Sequence, residues 1–405
     1  MNYKQTYTNN TSELLHKIMD RIYKNGLCFE SKIPTCKMDA NGKYILSNGG
    51  EWTDSFWVGL YYLAYAYTKD KKYLDIADKY QPFFKERAEN DPYVCKEKGY
   101  LPLDHDTGFI FSLSQVARYK LTGDQAARDI SLIAADTLAA RFNEHGGFIR
   151  AWDTWPWDDN EKFINEKKGK MIIDSMMNMP LLMWAYRETG DERYRCIAVT
   201  HAKTVERYIV REDGSSYHQF NFNPETGTPL RGVTGQGYDD ESCWSRGQAW
   251  GIYGFALMYG YTKETEFLKT AIKLANYFIS QLDFSYIPIW DFSTIDAEYR
   301  PWDSSAGAIA ASGLIEISKW THDIKVSDKC LEGASKLLYH LTAHCGTLEM
   351  EDYQPLLLHG CIGPAYKKGS ENLINRFTDT PTVYGDYFYT EALIKLKEPR
   401  TILFW

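Results

Sequence analysis

The chain has 405 residues, 44% of them hydrophobic, enough to bury one large core or two ordinary ones. A formal net charge of −8 with no run of Lys or Arg excludes a basic field for nucleic acid. No apolar run reaches membrane-spanning length and the polar start Met1-Asn2-Tyr3-Lys4 is no signal sequence, so the chain reads as soluble and cytoplasmic, with no membrane partner.

From the N-terminus, Leu14 to Tyr23 carries one apolar stripe and predicts an amphipathic helix. Phe56 to Ala66 is apolar on nearly every side, and Tyr73 to Glu86 after it is amphipathic again. The alternation recurs in Gly108 to Ala117 then Ala126 to Ala140, and in Ile172 to Ala185 then Tyr194 to Val210. It continues in Ala249 to Tyr259 then Glu266 to Leu282, in Ala306 to Ile317 then Lys329 to Leu341, and in a last apolar segment, Tyr387 to Leu393. A helix apolar all round is buried all round. A short mark separates the members of each pair: Thr68-Lys69-Asp70, Thr122-Gly123-Asp124, Thr189-Gly190-Asp191, Thr262-Lys263-Glu264 and Thr321-His322-Asp323. Gly or a short polar residue ends one helix there, and the acid favours the start of the next. Inner helices inside a ring of outer ones predict an all-α fold, a six-hairpin (α/α)6 barrel in a single domain over residues 1–405. The longest connections, 146–170 and 214–240, hold strand-like and turn-like pieces.

Cys28, Cys36, Cys95, Cys196, Cys243, Cys330, Cys345 and Cys361 are scattered, with no Cys-x-x-Cys and no Cys/His cluster at zinc spacing. That predicts free thiols in a reducing compartment, with no metal or cofactor implied. The chain holds 12 Trp, 30 Tyr and 19 Phe, and several Trp stand beside polar loop residues (Trp52, Trp152, Trp155, Trp157, Trp290, Trp302), as sugar-stacking rings do.

Inner segments begin with Asp54, Asp106, Asp174, Asp303 and Asp386. Asp is a favoured N-cap, and three of the five are assigned to capping or loop anchoring. Asp106 precedes Gly108, where backbone can approach a ligand, and Asp174 lies inside the apolar run Ile172 to Pro180. A desolvated carboxylate near a second one holds its proton towards neutrality, while a helix N-terminus pulls the other way. In Cys243 to Gly254, Arg246 and Trp250 share one helix face among small residues. Arg can fork a carboxylate and Trp can face a sugar ring, which suggests a pocket for an anionic sugar. A core Trp with a structural Arg paired to a carboxylate explains the same segment. His218, in a loop, and Gln236, between glycines, are ambiguous taken singly.

Together these motifs resemble the unsaturated glucuronyl hydrolases of glycoside hydrolase family 88. The resemblance rests on His105 to Phe109, Asp174 to Ala185, Ser215 to His218, Gly235-Gln236-Gly237, Trp244 to Ala256 and Asp303 to Ala310, in the family's order from about Trp52 to Leu396. It implies the six-hairpin barrel, with Asp174 as general acid and base and Asp106 as the second carboxylate. His218, Gln236, Arg246 and Trp250 would contact the unsaturated uronic ring, with Trp52 and Trp152 as further aromatic walls. Gly235 stands where some members carry a polar or basic residue, and Trp302 where Arg is common, departures that bear on substrate preference. Lys367 and Lys368, beside Gly369 and Ser370, are candidates for a sulfate on the neighbouring amino sugar, or else a solvated pair. The implied substrate is an oligosaccharide ending in a 4,5-unsaturated uronic acid, split after hydration of its C4=C5 bond. The rival readings are an inverting glycosidase on a saturated glycan, with two carboxylates about 6.5–9.5 Å apart, an unsaturated rhamnogalacturonyl hydrolase, and an inactive sugar-binding module. A metal-dependent barrel enzyme is disfavoured by the lack of a ligand cluster. Oligomeric state is not set by these residues.

Overall fold

Each Thr-x-acid mark turns the chain back between two packed helices. In the computed structural model, which describes residues 3–89, 92–155, 158, 160–370, 377–399, 401 and 404–405, four of the marks share one geometry. Thr68, Thr122, Thr189 and Thr262 donate Oγ to the carbonyl four residues earlier and accept the N–H two residues later. The residue between is left-handed, with φ of 61° at Lys69, 75° at Gly123, 74° at Gly190 and 62° at Lys263. Asp124, Asp191 and Asp323 then accept backbone N–H groups of the following helix, caps worth about 1 kcal/mol each.

The chain begins with α1 (Tyr3–Phe29), the hairpin β1 (Ile33–Met38) and β2 (Tyr44–Ser47), α2 (Asp54–Thr68), α3 (Lys72–Ala77), α4 (Gln81–Glu89) and α5 (Pro92–Glu97). It continues through α6 (Thr107–Phe111), α7 (Ala117–Thr122), α8 (Gln125–Ala139), β3 (Phe142–Asn143), β4 (Phe148–Ile149), α9 (Glu161–Lys168) and β5 (Lys170–Ile172). Then come α10 (Met179–Thr189), α11 (Glu192–Tyr208), β6 (Gln219–Phe222), β7 (Pro229–Val233), α12 (Ser245–Thr262) and α13 (Thr265–Ser280). The last are α14 (Ser304–Trp320), α15 (Ile324–His344) and α16 (Val383–Lys397).

Helices α2, α6, α10, α12, α14 and α16 touch in that order, and α16 returns to α2, closing an inner ring. Outside it, α1 covers α16 and α2, α3 covers α2, α8 covers α6 and α10, α11 covers α10, α13 covers α12, and α15 covers α14. The (α/α)6 barrel read from the alternation is therefore the fold. Helix α12 is buried without a break from Ser245 to Met258, whereas α13 buries only the stripe Phe267, Thr270, Ala271, Leu274, Ala275 and Phe278. Among the described residues no helix is long and apolar enough to cross a membrane.

Two segments differ from the reading of the sequence. Tyr73 to Glu86 is not one helix: α3 passes through a 3-10 turn into α4. Pro82 explains the break, since its ring would clash with the carbonyl of Asp78 in a continuous helix. Asp174 does not sit on an inner α-helix running from Ile172, but on a 3-10 turn, Ile173–Met177, between β5 and α10. Pro180, which suits only the first turn of a helix, holds the start of α10 at Met179.

Candidate active site

Strand pairing brings Asp174 and His218 together. β5 and β6 are antiparallel with Ile172 opposite Gln219, and the Ile173 N–H donates to the His218 carbonyl at 3.0 Å. From the other side, α12 presses on the Asp174 turn through a groove of glycines. A Cβ at Gly254 would lie 2.5 Å from the Met176 Cβ, and at Gly247 and Gly251 it would crowd Ile173. Behind the turn, buried His201 accepts the Ile149 N–H at Nδ1 (3.0 Å), so its proton is on Nε2, 2.7 Å from Ser175 Oγ. Ser175 Oγ in turn donates to the Ile172 carbonyl, which fixes the entry to the turn.

Gly108 is explained by a protein contact. A Cβ there would fall 2.4 Å from the Asn178 Cα, so the close approach is to Asn178 and not, as anticipated, to a ligand. Asn178 accepts the Phe109 N–H at Oδ1 (2.6 Å) and donates Nδ2 to the Asp174 carbonyl at 3.3 Å. One side chain thus ties the helix start after Asp106 to the turn carrying Asp174.

The five acids divide as the sequence suggested. Asp54 accepts the N–H groups of Gly50 and Glu51, Asp303 those of Ser305 and Ala306, and Asp386 those of Leu356 and Leu357. Asp106 makes no side-chain cap, and Asp174 Oδ1 is buried without a hydrogen-bond partner among the described residues. Burial raises the Asp174 pKa to about 6, although positive Arg246 favours its ionised form. Burial, then the charges of Asp104 and Asp174, push Asp106 well above the carboxylate range.

Hydrogen-bond logic fixes both nearby histidines. His218 Nδ1 accepts the backbone N–H groups of Gly235 (3.0 Å) and Gln236 (3.1 Å), so its proton sits on Nε2. Burial, helped by Arg246, lowers its pKa well below the ordinary value and keeps it neutral. Its Nε2 lies 3.8 Å from Asp174 Oδ1, and neither atom has a hydrogen-bond partner among the described residues. That gap is too long for a hydrogen bond. His105 is turned the other way: Nδ1 lies 2.7 Å from the Ala151 carbonyl, which can only accept, so Nδ1 carries a proton. Its Nε2 lies 3.2 Å from Asp106 Oδ1.

A cavity of about 210 Å³ has Trp52, Trp152, His105, Asp106, Asp174, Gln236 and Arg246 among its walls, while buried His218 is not one of them. Trp52 stacks on Tyr384 at 5.0 Å, and Trp152 meets the edge of His105 at 5.5 Å. Of the other loop tryptophans, Trp290 is wholly buried and donates Nε1 to the Gln236 carbonyl at 2.9 Å. Trp155 and Trp302 border other hollows, and Trp157 lies outside the described residues.

Three expectations change. Arg246 does not present a free fork: Nη1 meets Asp303 (3.1 Å) and the Cys361 carbonyl, and Nη2 meets Gln236 Oε1 at 2.6 Å. The structural-pair reading of Arg246 therefore holds alongside its place in the wall. Trp250 is fully buried behind the wall, its ring 5.0 Å from Phe109, because α12 is enclosed on every side. Lys367 and Lys368 do not reach the cavity. Lys367 Nζ donates to the carbonyls flanking Gln236, Gly235 (2.9 Å) and Gly237 (2.7 Å), and exposed Lys368 pairs with Asp239 at 2.9 Å.

All eight cysteines are free. The sequence showed no metal-ligand cluster, yet Asp104, His105 and Asp106 bring three ligand atoms within 4.8 Å of one another. His105 turns its two nitrogens to different partners, so the set reads as a hydrogen-bond chain from Ala151 to Asp106. His105, Asn178, Ser175 and His201 were given no role by the sequence pattern. Asn178 had a visible signal, a lone amide in the apolar run Met176 to Pro180.

The model of Glycosyl Hydrolase Family 88 matches residues 31–350. The chain is 37% identical over 385 residues to the unsaturated chondroitin disaccharide hydrolase of Streptococcus agalactiae, covering 95% of this chain and 90% of that one. It is 38% identical over 362 residues to the unsaturated glucuronyl hydrolase of Bacillus sp. strain GL1, covering 89% of each. The crystal structure of unsaturated glucuronyl hydrolase from Bacillus sp. GL1, responsible for the degradation of glycosaminoglycan, superimposes with a TM-score of 0.86 at 33% identity, over 98% of this chain and 99% of that one.

Proposed function

Because this chain belongs to glycosyl hydrolase family 88, we propose that it releases a 4,5-unsaturated uronic acid from the non-reducing end of lyase-generated oligosaccharides, glycosaminoglycan disaccharides among them, by hydrating the C4=C5 bond. The observation that carries this reading is Asp174 in the wall of an aromatic-walled cavity, its Oδ1 buried without a hydrogen-bond partner among the described residues and 3.8 Å from His218 Nε2.

The C4=C5 bond is a vinyl ether with the ring oxygen and is conjugated to the carboxylate. Protonation at C4 therefore gives a cation that the ring oxygen stabilises. Asp174, which holds its proton to about pH 6, donates it to C4. The carboxylate so formed takes a proton from a water molecule, whose oxygen adds to C5. The product hemiketal opens, the partner sugar leaves, and Asp174 ends protonated as it began. No nucleophile attacks the anomeric carbon.

The neighbours suit these steps. Uncharged Asp106 keeps a second negative charge away from both Asp174 and the substrate carboxylate. Neutral His218 stands 3.8 Å from Asp174 without adding a charge beside it, and Gln236, whose Oε1 is held by Arg246, offers its NH2 to a substrate oxygen. Arg246 brings positive charge into the wall, Trp52 and Trp152 pack on the ring, and Trp250 supports Asp174 from behind. Lys367 serves by holding the Gln236 loop, and sulfate recognition is not assigned to Lys367 or Lys368.

The test follows the ultraviolet absorbance of the conjugated alkene with unsaturated chondroitin, hyaluronan and heparin disaccharides, sulfated and unsulfated, beside an unsaturated rhamnogalacturonan fragment. Loss of absorbance with release of the partner sugar is expected, with the rate ranking naming the substrate. Asp174→Asn should abolish turnover and keep binding. Unchanged absorbance together with cleavage of a saturated glycan would replace hydration by ordinary inverting hydrolysis.

A further inference from the structure

A second cavity, of about 180 Å³, is walled by Tyr299, Pro301, Trp302, His359 and Asp379. One stretch of backbone links it to the first: His359 faces the second cavity and Ile362 the first. Three residues span at most about 11 Å, so the two hollows are neighbours.

The backbone at this site is unusual in a specific way. Gly360 and Thr380 exchange both backbone hydrogen bonds, at 2.8 and 3.0 Å, in an antiparallel bridge flanked by His359 and Asp379. Both are left-handed, with φ of 62° and 55°, a conformation uncommon for residues other than glycine. Their side chains meet, His359 Nδ1 lying 2.5 Å from Asp379 Oδ1. Strain of this kind persists where the surroundings over-determine it and collects at ligand sites. Trp302 is half-buried and sets its ring edge-on to His359 at 5.9 Å. Its neighbours are pinned separately, the Pro301 carbonyl by the Trp290 N–H and the Asp303 N–H by the Pro288 carbonyl, each at 2.8 Å. The Trp302 side chain can thus be changed without moving Asp303, the partner of Arg246.

A pyranose has an apolar C–H face and a rim of hydroxyl groups. Trp302 and Tyr299 supply flat faces, Asp379 supplies acceptor oxygens, and His359 supplies a free Nε2. The five wall residues include no Lys or Arg, which suits a neutral ring rather than a uronate or a sulfate ester. We propose that this cavity is an outer saccharide subsite, taking a neutral sugar ring of substrates longer than a disaccharide. It rests on the oligosaccharide reading of the first cavity.

The experiment compares KM and kcat for unsaturated di- and tetrasaccharides of one polymer in the wild type, Trp302→Ala and Asp379→Asn. Asn tolerates left-handed backbone, so the second variant removes charge without a backbone penalty. The wild type should show the lower KM for the tetrasaccharide. Each variant should raise that KM about tenfold, the loss of one good contact, and leave disaccharide kinetics unchanged. Equal KM for both lengths in the wild type, or a tetrasaccharide KM untouched in both variants, overturns the subsite. If neither length is turned over, the reading of the first cavity fails, and binding alone judges the second. A saturated tetrasaccharide that shifts the His359 ring signals by NMR in the wild type but not in Trp302→Ala supports it, and no shift overturns it.

Discussion

At Asp174 chemistry and stability pull in opposite directions. The group must begin each turnover protonated, so kcat/KM should fall about tenfold per pH unit above its pKa of about 6. For folding, a pKa raised above the unfolded value means that the native state holds the proton more tightly. Stability is then greatest below the unfolded pKa of about 3.9 and is lost as pH rises through the folded value. The full loss is about 3 kcal/mol, reached above about pH 6. Asp174→Asn should accordingly melt higher than the wild type at pH 8 and no higher at pH 4, measured by thermal denaturation at the two pH values. Equal melting at pH 8 would refute the burial argument. Lys367 is a second residue where position decides the role: its charge was legible, but not that Gly235 and Gly237 consume it. Lys367→Met should raise KM equally for sulfated and unsulfated disaccharides, and a loss confined to the sulfated one would restore the sulfate role.

Between elements, the site depends on contacts that allow no added atom. The start of α6 and the Asp174 turn meet backbone to backbone at Gly108 and Asn178. Gly108→Ala should cost about 1–3 kcal/mol and also lower kcat, because the strain separates Asp106 from Asp174. Asp323→Ala, which removes only the cap of α15, should cost about 1 kcal/mol with kcat unchanged. Denaturant unfolding and steady-state rates on the two variants separate the cases, and an unchanged kcat in Gly108→Ala would show that the contact is packing alone. The elements themselves were legible because their signals are local: the Thr-x-acid marks, the apolar runs, and the split of five acids into three anchors and two that cap nothing. The Asp174 turn was not, because β5 ends at Ile172 only through pairing with β6, nearly fifty residues on. The small residues of α12 announced close packing, but only the fold shows Ile173 and Met176 as what they admit.

Across the whole molecule, the aromatic richness belongs to the barrel axis more than to sugar. Ring contacts run from Trp52 to Phe109 (5.6 Å), Phe109 to Trp250 (5.0 Å), Trp250 to Phe388 (5.4 Å) and Phe388 to Trp405 (5.7 Å). Composition alone could not tell these rings from the cavity walls, since the column joins residues up to hundreds of positions apart. The same holds for a buried polar network linking α12, α14 and α16. Lys395 Nζ lies 2.9 Å from Glu316, 2.8 Å from the Ser312 carbonyl and 3.1 Å from Tyr253 Oη, which donates to Glu391 at 2.9 Å. Burial would raise the Glu316 pKa, but Lys395 and Lys319 outweigh it and hold the carboxyl below its ordinary value. On α12, Tyr253 stands seven residues beyond Arg246, about 10 Å along the helix, so the network belongs to the frame and not to the cavity. Lys395→Met leaves Glu316 buried with half its compensation and should cost about 3–5 kcal/mol at pH 7. The deficit should shrink as pH falls and Glu316 takes up a proton. The double variant Lys395→Met/Glu316→Gln should regain most of it, with kcat of the folded enzyme unchanged throughout. Denaturant melts of the three proteins at pH 7 and pH 5 decide the matter: a deficit independent of pH and not rescued by Gln would mean that lost packing of the lysine stem, rather than an uncompensated charge, holds the inner ring together here.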